Sequence, residues 1–111
     1  KVLSLWSNHY KNINMVKEFK DLVFKKHIHG GLGSSTKIGD HTLSVQCGKF
    51  VYSSPREDAS VTTSFSSFEV GIFDSDGDFV TEKFIDDSEE GGVAGWVTRD
   101  TINQVINKLS K

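Results

Sequence analysis

The chain has 111 residues, 36% hydrophobic and 25% charged, with 13 lysines and arginines against 15 acids and a formal charge of −2. This length suits one domain over residues 1–111 that buries a core without a metal or a disulfide framework. One proline, ten glycines and twelve aromatics exclude a low-complexity or disordered chain.

The opening run Val2–Trp6 is apolar but short, a strand or anchoring segment rather than a signal-peptide core or a membrane span. From an Asn12 cap, helical spacing runs to about Ile28: Met15, Val16, Phe19, Leu22 and Val23 share an arc of ~120°. Lys17, Glu18, Asp21 and Lys25 take the opposite face. Gly30-Gly31 ends this pattern behind His27 and His29, and residues 30–37 read as a flexible helix-to-strand connection.

Period-two alternation then begins. Leu43, Val45 and Cys47 alternate with Thr42, Ser44 and Gln46, a strand with one buried face entered through a Gly39-Asp40 turn. Gly48 suggests a bulge, with more strand over Lys49–Ser53 before Pro55 ends it. Glu57–Ser64 is a polar loop. Phe68, Val70 and Ile72 alternate in a further strand, and the turn Asp74-Ser75-Asp76-Gly77-Asp78 sends Phe79–Ile85 back as the second arm of a hairpin. Thr98 or Asp100 caps a last helix, whose Ile102, Val105, Ile106 and Leu109 lie within ~100° of arc. The fold class expected is α+β: an antiparallel sheet of about four strands flanked by an N-terminal and a C-terminal helix, packed on one face.

Each motif with a chemical reading has a plainer one. The acids at 74, 76 and 78 have EF-hand spacing, but the glycine stands at 77 and Ile85 occupies the place of the bidentate glutamate. They read as a turn with solvated carboxylates and no metal. In Gly30–Lys37 the lysine follows the hydroxyls and a helix precedes, the reverse of a phosphate-binding loop. No cofactor is expected. His27, His29, His41 and Cys47 match no zinc-ligand spacing, and Cys47 falls in a buried alternation. The enzyme alternative is a small metal-assisted hydrolase or nuclease centred on Asp40 and His41, with His27 or His29 as partner. No nucleophile elbow occurs.

Charge patterning is more informative than net charge. Residues 1–49 carry +5, whereas residues 74–90 carry −7, from Asp74, Asp76, Asp78, Glu82, Asp86, Asp87, Glu89 and Glu90 against Lys83. These carboxylates form an acidic hairpin surface suited to a basic protein partner, with Phe79, Phe84 and Trp96 as aromatic anchors. The same polarity suits a homo-oligomer, as a symmetric homodimer or head to tail. The basic face Lys17, Lys20, Lys25 and Lys26 supports a nucleic-acid accessory role as a weaker alternative, since acids interleave it and arginine is scarce. The function read from the sequence is a small non-enzymatic protein-binding module, with a viral accessory or inhibitor protein as one form. The lone Cys47 points to the cytoplasm.

Overall fold

A computed structural model describes residues 16–26, 30–58, 60–86, 88 and 91–111. Five strands form one antiparallel sheet in sequence order: β1 Lys25–Lys26, β2 Gly31–Ile38, β3 His41–Gly48, β4 Phe68–Phe73 and β5 Ala94–Val97. Among the described residues one α-helix, α1, follows at Arg99–Leu109. Mixed α+β architecture is therefore correct, with five strands rather than four and without the expected N-terminal helix across the described residues.

Cross-strand partners share a face of the sheet. One face carries the row Ser34–Val45–Val70–Ala94 and the row Thr36–Leu43–Ile72. Leu43, Val45, Val70 and Ile72 are fully shielded, and α1 covers them with Ile102, Val105, Ile106 and Leu109, the four residues its spacing singled out. Thr98 caps α1 by accepting the Thr101 N–H through its Oγ1 at 3.3 Å, which satisfies one of the free amides of the first turn.

Where the expected first helix should run, residues 16–26 contain one 3-10 turn, Phe19–Asp21, and then extended chain into β1; Asn12 and residues 27–29 lie outside the described residues. The turn closes on itself, because the Asp21 carboxylate accepts the Glu18 and Lys17 N–H groups at 3.1 Å. Tertiary contacts outweigh the helical spacing. Phe19 stacks against Phe24 and Phe68, and its N–H donates to Asn103 Oδ1 on α1 at 2.7 Å. Val23, placed on the apolar stripe by helical spacing, is 71% exposed. Arg99 locks this arrangement. Its guanidinium lies 4.9 Å from the Phe19 ring and 5.0 Å from the Phe68 ring, and donates to the carbonyls of Phe65 and Thr62 at 2.7 and 2.8 Å.

Three further expectations are corrected. Residues 31–38 form a full strand rather than a connection, paired with β3 over eight positions. Its inward positions include Ser34 beside Leu32 and Ile38, so the apolar alternation is interrupted; the Ser34 hydroxyl is satisfied by Thr36 Oγ1 at 3.2 Å. Lys49–Ser53 is a turn, not a strand or the sequel to a bulge. Gly48 ends β3 at φ +148°, facing Gly31 so closely that a Cβ on it would stand 2.7 Å from the Gly31 Cα, and Ser53 Oγ accepts the Gly48 N–H and donates to its carbonyl.

Phe79–Ile85 is likewise no hairpin arm. Phe79 alone bridges Phe73, after which Thr81–Lys83 turns as a 3-10 helix. The reason is Thr81, completely buried, whose Oγ1 accepts the Ile72 N–H at 3.0 Å and donates to the Gly92 carbonyl at 2.7 Å. One hydroxyl thereby occupies a rung where a strand residue would pair, and ties β4 to the loop that enters β5. Thr81→Val keeps the shape but strands both backbone groups. We expect it to lower unfolding free energy by about 2–3 kcal/mol, read as a lower urea midpoint at unchanged m-value.

Candidate functional site

The face of the sheet opposite α1 has a different composition from the core face. Its rows are Lys25–Gly33–Gln46–Glu69, Ser35–Ser44–Gly71 and Lys37–Thr42–Phe73, mostly small or polar side chains. Toward the β4–β5 side this floor meets two aromatic pairs. Phe73 and Phe79 lie 4.4 Å apart, and Tyr52 and Trp96 stack at 5.2 Å.

The Tyr52–Trp96 pair is built by the backbone. Between the partners Phe68–Val97 and Val70–Ala94, β5 has one residue more than β4, which makes a bulge. Trp96 sits there at φ +52°, the one non-glycine residue at positive φ among the described residues. A bulky side chain in the left-handed region is strained by roughly 1–2 kcal/mol. The strain is held by two hydrogen bonds: Trp96 N–H donates to the Tyr52 carbonyl at 2.9 Å, and Tyr52 N–H donates to Glu69 Oε2 at 3.0 Å. Gly95 allows the approach, since a Cβ there would meet the Tyr52 Cβ at 2.8 Å. Trp96 nevertheless remains 55% exposed and Tyr52 44%. The Arg56 guanidinium lies 5.4 Å from the Tyr52 ring. A groove of about 400 Å³ runs from Trp96 along β5 between Phe84–Asp86 and the polar side of α1 at Thr101, Gln104 and Lys108.

Of the three aromatics singled out by sequence, Trp96 is the exposed one. Phe79 is half-buried against Phe73, and Phe84 packs on the core with its ring edge-on to His41 at 5.3 Å. Tyr52 and Arg56 were missed, because the run Lys49–Ser53 reads as alternating strand and gives no hint that the chain folds back over Gly95. Tyr, Trp and Arg close in sequence to turn residues is the only signal they leave.

Among the acids, Asp74, Asp76 and Asp78 converge, with one carboxylate oxygen from each lying within 4.8 Å of the others. Asp74 Oδ1 accepts the Asp76 and Asp78 N–H groups at 2.9 and 3.0 Å, and Asp74 N–H donates to the Asp78 carbonyl at 2.9 Å, so the cluster has the bonding of a turn. Glu82 and Asp86 are exposed. Asp87, Glu89 and Glu90 lie outside the described residues, as do His27 and His29. Asp40 is exposed in the β2–β3 turn beside His41. The four lysines of the expected basic face share no α-helix: Lys17 precedes the 3-10 turn, Lys20 lies within it 3.2 Å from Glu18, and Lys25 and Lys26 make up β1. Among the described residues no helix is long and apolar enough to cross a membrane.

Cys47 is 1% exposed on the core face. Burial pushes its thiol up to about 11, opposed by a hydrogen bond with the Leu32 backbone and by the Arg99 charge. No family model, curated protein or solved structure matches the chain.

Two predictions follow from this geometry. In an ordinary strand Gly is less stable than Ala by roughly 0.5–1 kcal/mol. At position 96 the order should reverse, with Trp96→Gly more stable than Trp96→Ala by about 1 kcal/mol in urea titrations. Because the Cys47 thiol of the folded protein ionises above its ordinary range, the unfolded chain loses that proton first as pH rises. Stability from this group is complete below pH 9 and falls between pH 9 and about 11, by at most ~1.4 kcal/mol per pH unit. Cys47→Ala should remove that slope, measured as the difference between the two proteins' stabilities across the window.

Proposed function

We propose that the chain is a non-enzymatic protein-binding module of the accessory or inhibitor type, acting in the cytoplasm, with Tyr52 and Trp96 as its anchors. The observation that carries this reading is Trp96, an aromatic residue kept at positive φ and still 55% exposed. Strain of this kind persists where a site requires it, and nothing in core packing accounts for presenting the ring to solvent. Tyr, Trp and Arg are the residue types that dominate interface energetics, and here Trp96, Tyr52 and Arg56 stand together.

The acids supply direction rather than anchorage. Asp74, Asp76, Asp78, Glu82 and Asp86 are counted with Lys83 as the one base between them in sequence, and this surface attracts a partner that is basic over the matching area. The groove beside β5 joins the two features, since Trp96 and Asp86 both line it.

Capture from the source cell with the immobilised chain, read by mass spectrometry, tests the reading. Proteins retained by the wild type should fall at least tenfold with Trp96→Ala, matching a loss of about 2 kcal/mol or more at an anchor. Glu82→Lys with Asp86→Lys should slow association and abolish its salt dependence while leaving dissociation nearly unchanged. Retention of the same proteins by Trp96→Ala would exclude the anchor assignment.

A further inference from the structure

The Tyr52–Trp96 surface leaves the two edges of the sheet and the lysines beside one of them without a role. On one side β1 pairs only with Leu32 and Gly33, so among the described residues Ser34–Ile38 of β2 is laddered to β3 and has no outer strand. Lys25, Lys26 and Lys37 stand on this side, all exposed, and neither strand contains an acid.

On the other side, the column beside β4 is formed by β5 and then by Phe79, and among the described residues no further strand lies outside it. The chain that makes this column brings the exposed acids Asp78, Glu82 and Asp86 against the one exposed base Lys83.

At ~4.8 Å between neighbouring strands, β2 and β5 lie about 14 Å apart and β1 and β5 about 19 Å. Salt screens charges beyond ~8 Å, so the lysines of one edge do not neutralise the carboxylates of the other within a copy. An open edge is a template for another strand, and lysines on it keep like edges apart. Here they do so selectively. Two β2 edges repel through lysine, two β5 edges repel through carboxylate, and only a β2 edge against a β5 edge is complementary. Strand direction agrees: each successive strand is antiparallel to the last, so β2 runs opposite to β5 and a translated copy meets β5 in antiparallel sense.

We propose that the β5 edge receives a second copy of this chain, which lays the free stretch Ser34–Ile38 of its β2 against β5 in head-to-tail contact. Such a contact is heterologous. Each added copy exposes a fresh edge, so the assembly grows past two chains. This contact shares β5 and the acids with the proposed partner surface but does not rest on that reading, and its test uses the purified chain alone.

Sedimentation velocity on the whole chain should show a mass that rises with concentration beyond two chains at ~50 mM salt and association at least tenfold weaker at ~500 mM. The triple variant Lys25→Glu, Lys26→Glu, Lys37→Glu and the triple variant Asp78→Lys, Glu82→Lys, Asp86→Lys should each be monomeric alone, with circular dichroism confirming the fold. Mixed in equal amounts they should associate again, because the exchanged charges match across the same two edges. A wild type monomeric at low salt overturns the proposal, as does a dimer that stops at two chains or a mixture that stays monomeric. The salt series on the unmodified chain decides the matter even if a variant fails to fold.

Discussion

Among the described residues one α-helix meets a five-stranded sheet, and it covers one of the sheet's two faces. That constraint governs the rest of this structure. The face under α1 takes nearly all the branched aliphatic side chains, and Leu43, Val45, Val70 and Ile72 lose contact with water entirely. An eleven-residue helix does not reach across all five strands, so the gap is closed by the segment carrying Phe19, Leu22 and Phe24. Arg99 holds that segment. It is a cation bonded to two carbonyls and laid between two aromatic rings, which offsets the cost of withdrawing it from water and fastens three pieces of chain that are distant in sequence.

The other face carries the consequences. Away from α1 it carries polar and small residues, among them its serines, glycines and Gln46. Against that background an exposed, stacked and conformationally strained aromatic pair has no packing role to explain it. The bulge in β5 is what turns the Trp96 ring outward, and the Glu69 carboxylate, reached through Tyr52, fixes the loop that supports it. A surface of this kind favours recognition through a rigid anchor at small entropic cost.

Legibility followed the length of each periodic signal. β3, β4 and α1 were readable because each repeats its apolar spacing at least three times, as Leu43, Val45 and Cys47 do. β2 was missed because Ser34 holds an inward position that a pattern reader expects to be apolar. The spacing of residues 12–28 predicts a first helix, yet the same residues satisfy an extended chain when Phe19, Leu22 and Phe24 have partners on the sheet and α1. Phe79–Ile85 reads as a strand until the buried Thr81 hydroxyl is seen to take over the ladder bond. The exposed anchor was half visible: Trp96 stood out by type, while Tyr52 and Arg56 depend on a turn that brings residues 52 and 96 together.

The near-neutral total of −2 conceals a separation of charge that composition cannot show and the order of residues can. Sequence alone determined one buried sheet face, a capped C-terminal helix, and the placing of lysines early and carboxylates late. Only the tertiary structure decided where those charges stand, because a meander maps position along the chain onto position across the sheet. It also decided which aromatics face water, since that depends on a one-residue register shift opposite β4, and a register is a property of two strands rather than of either sequence.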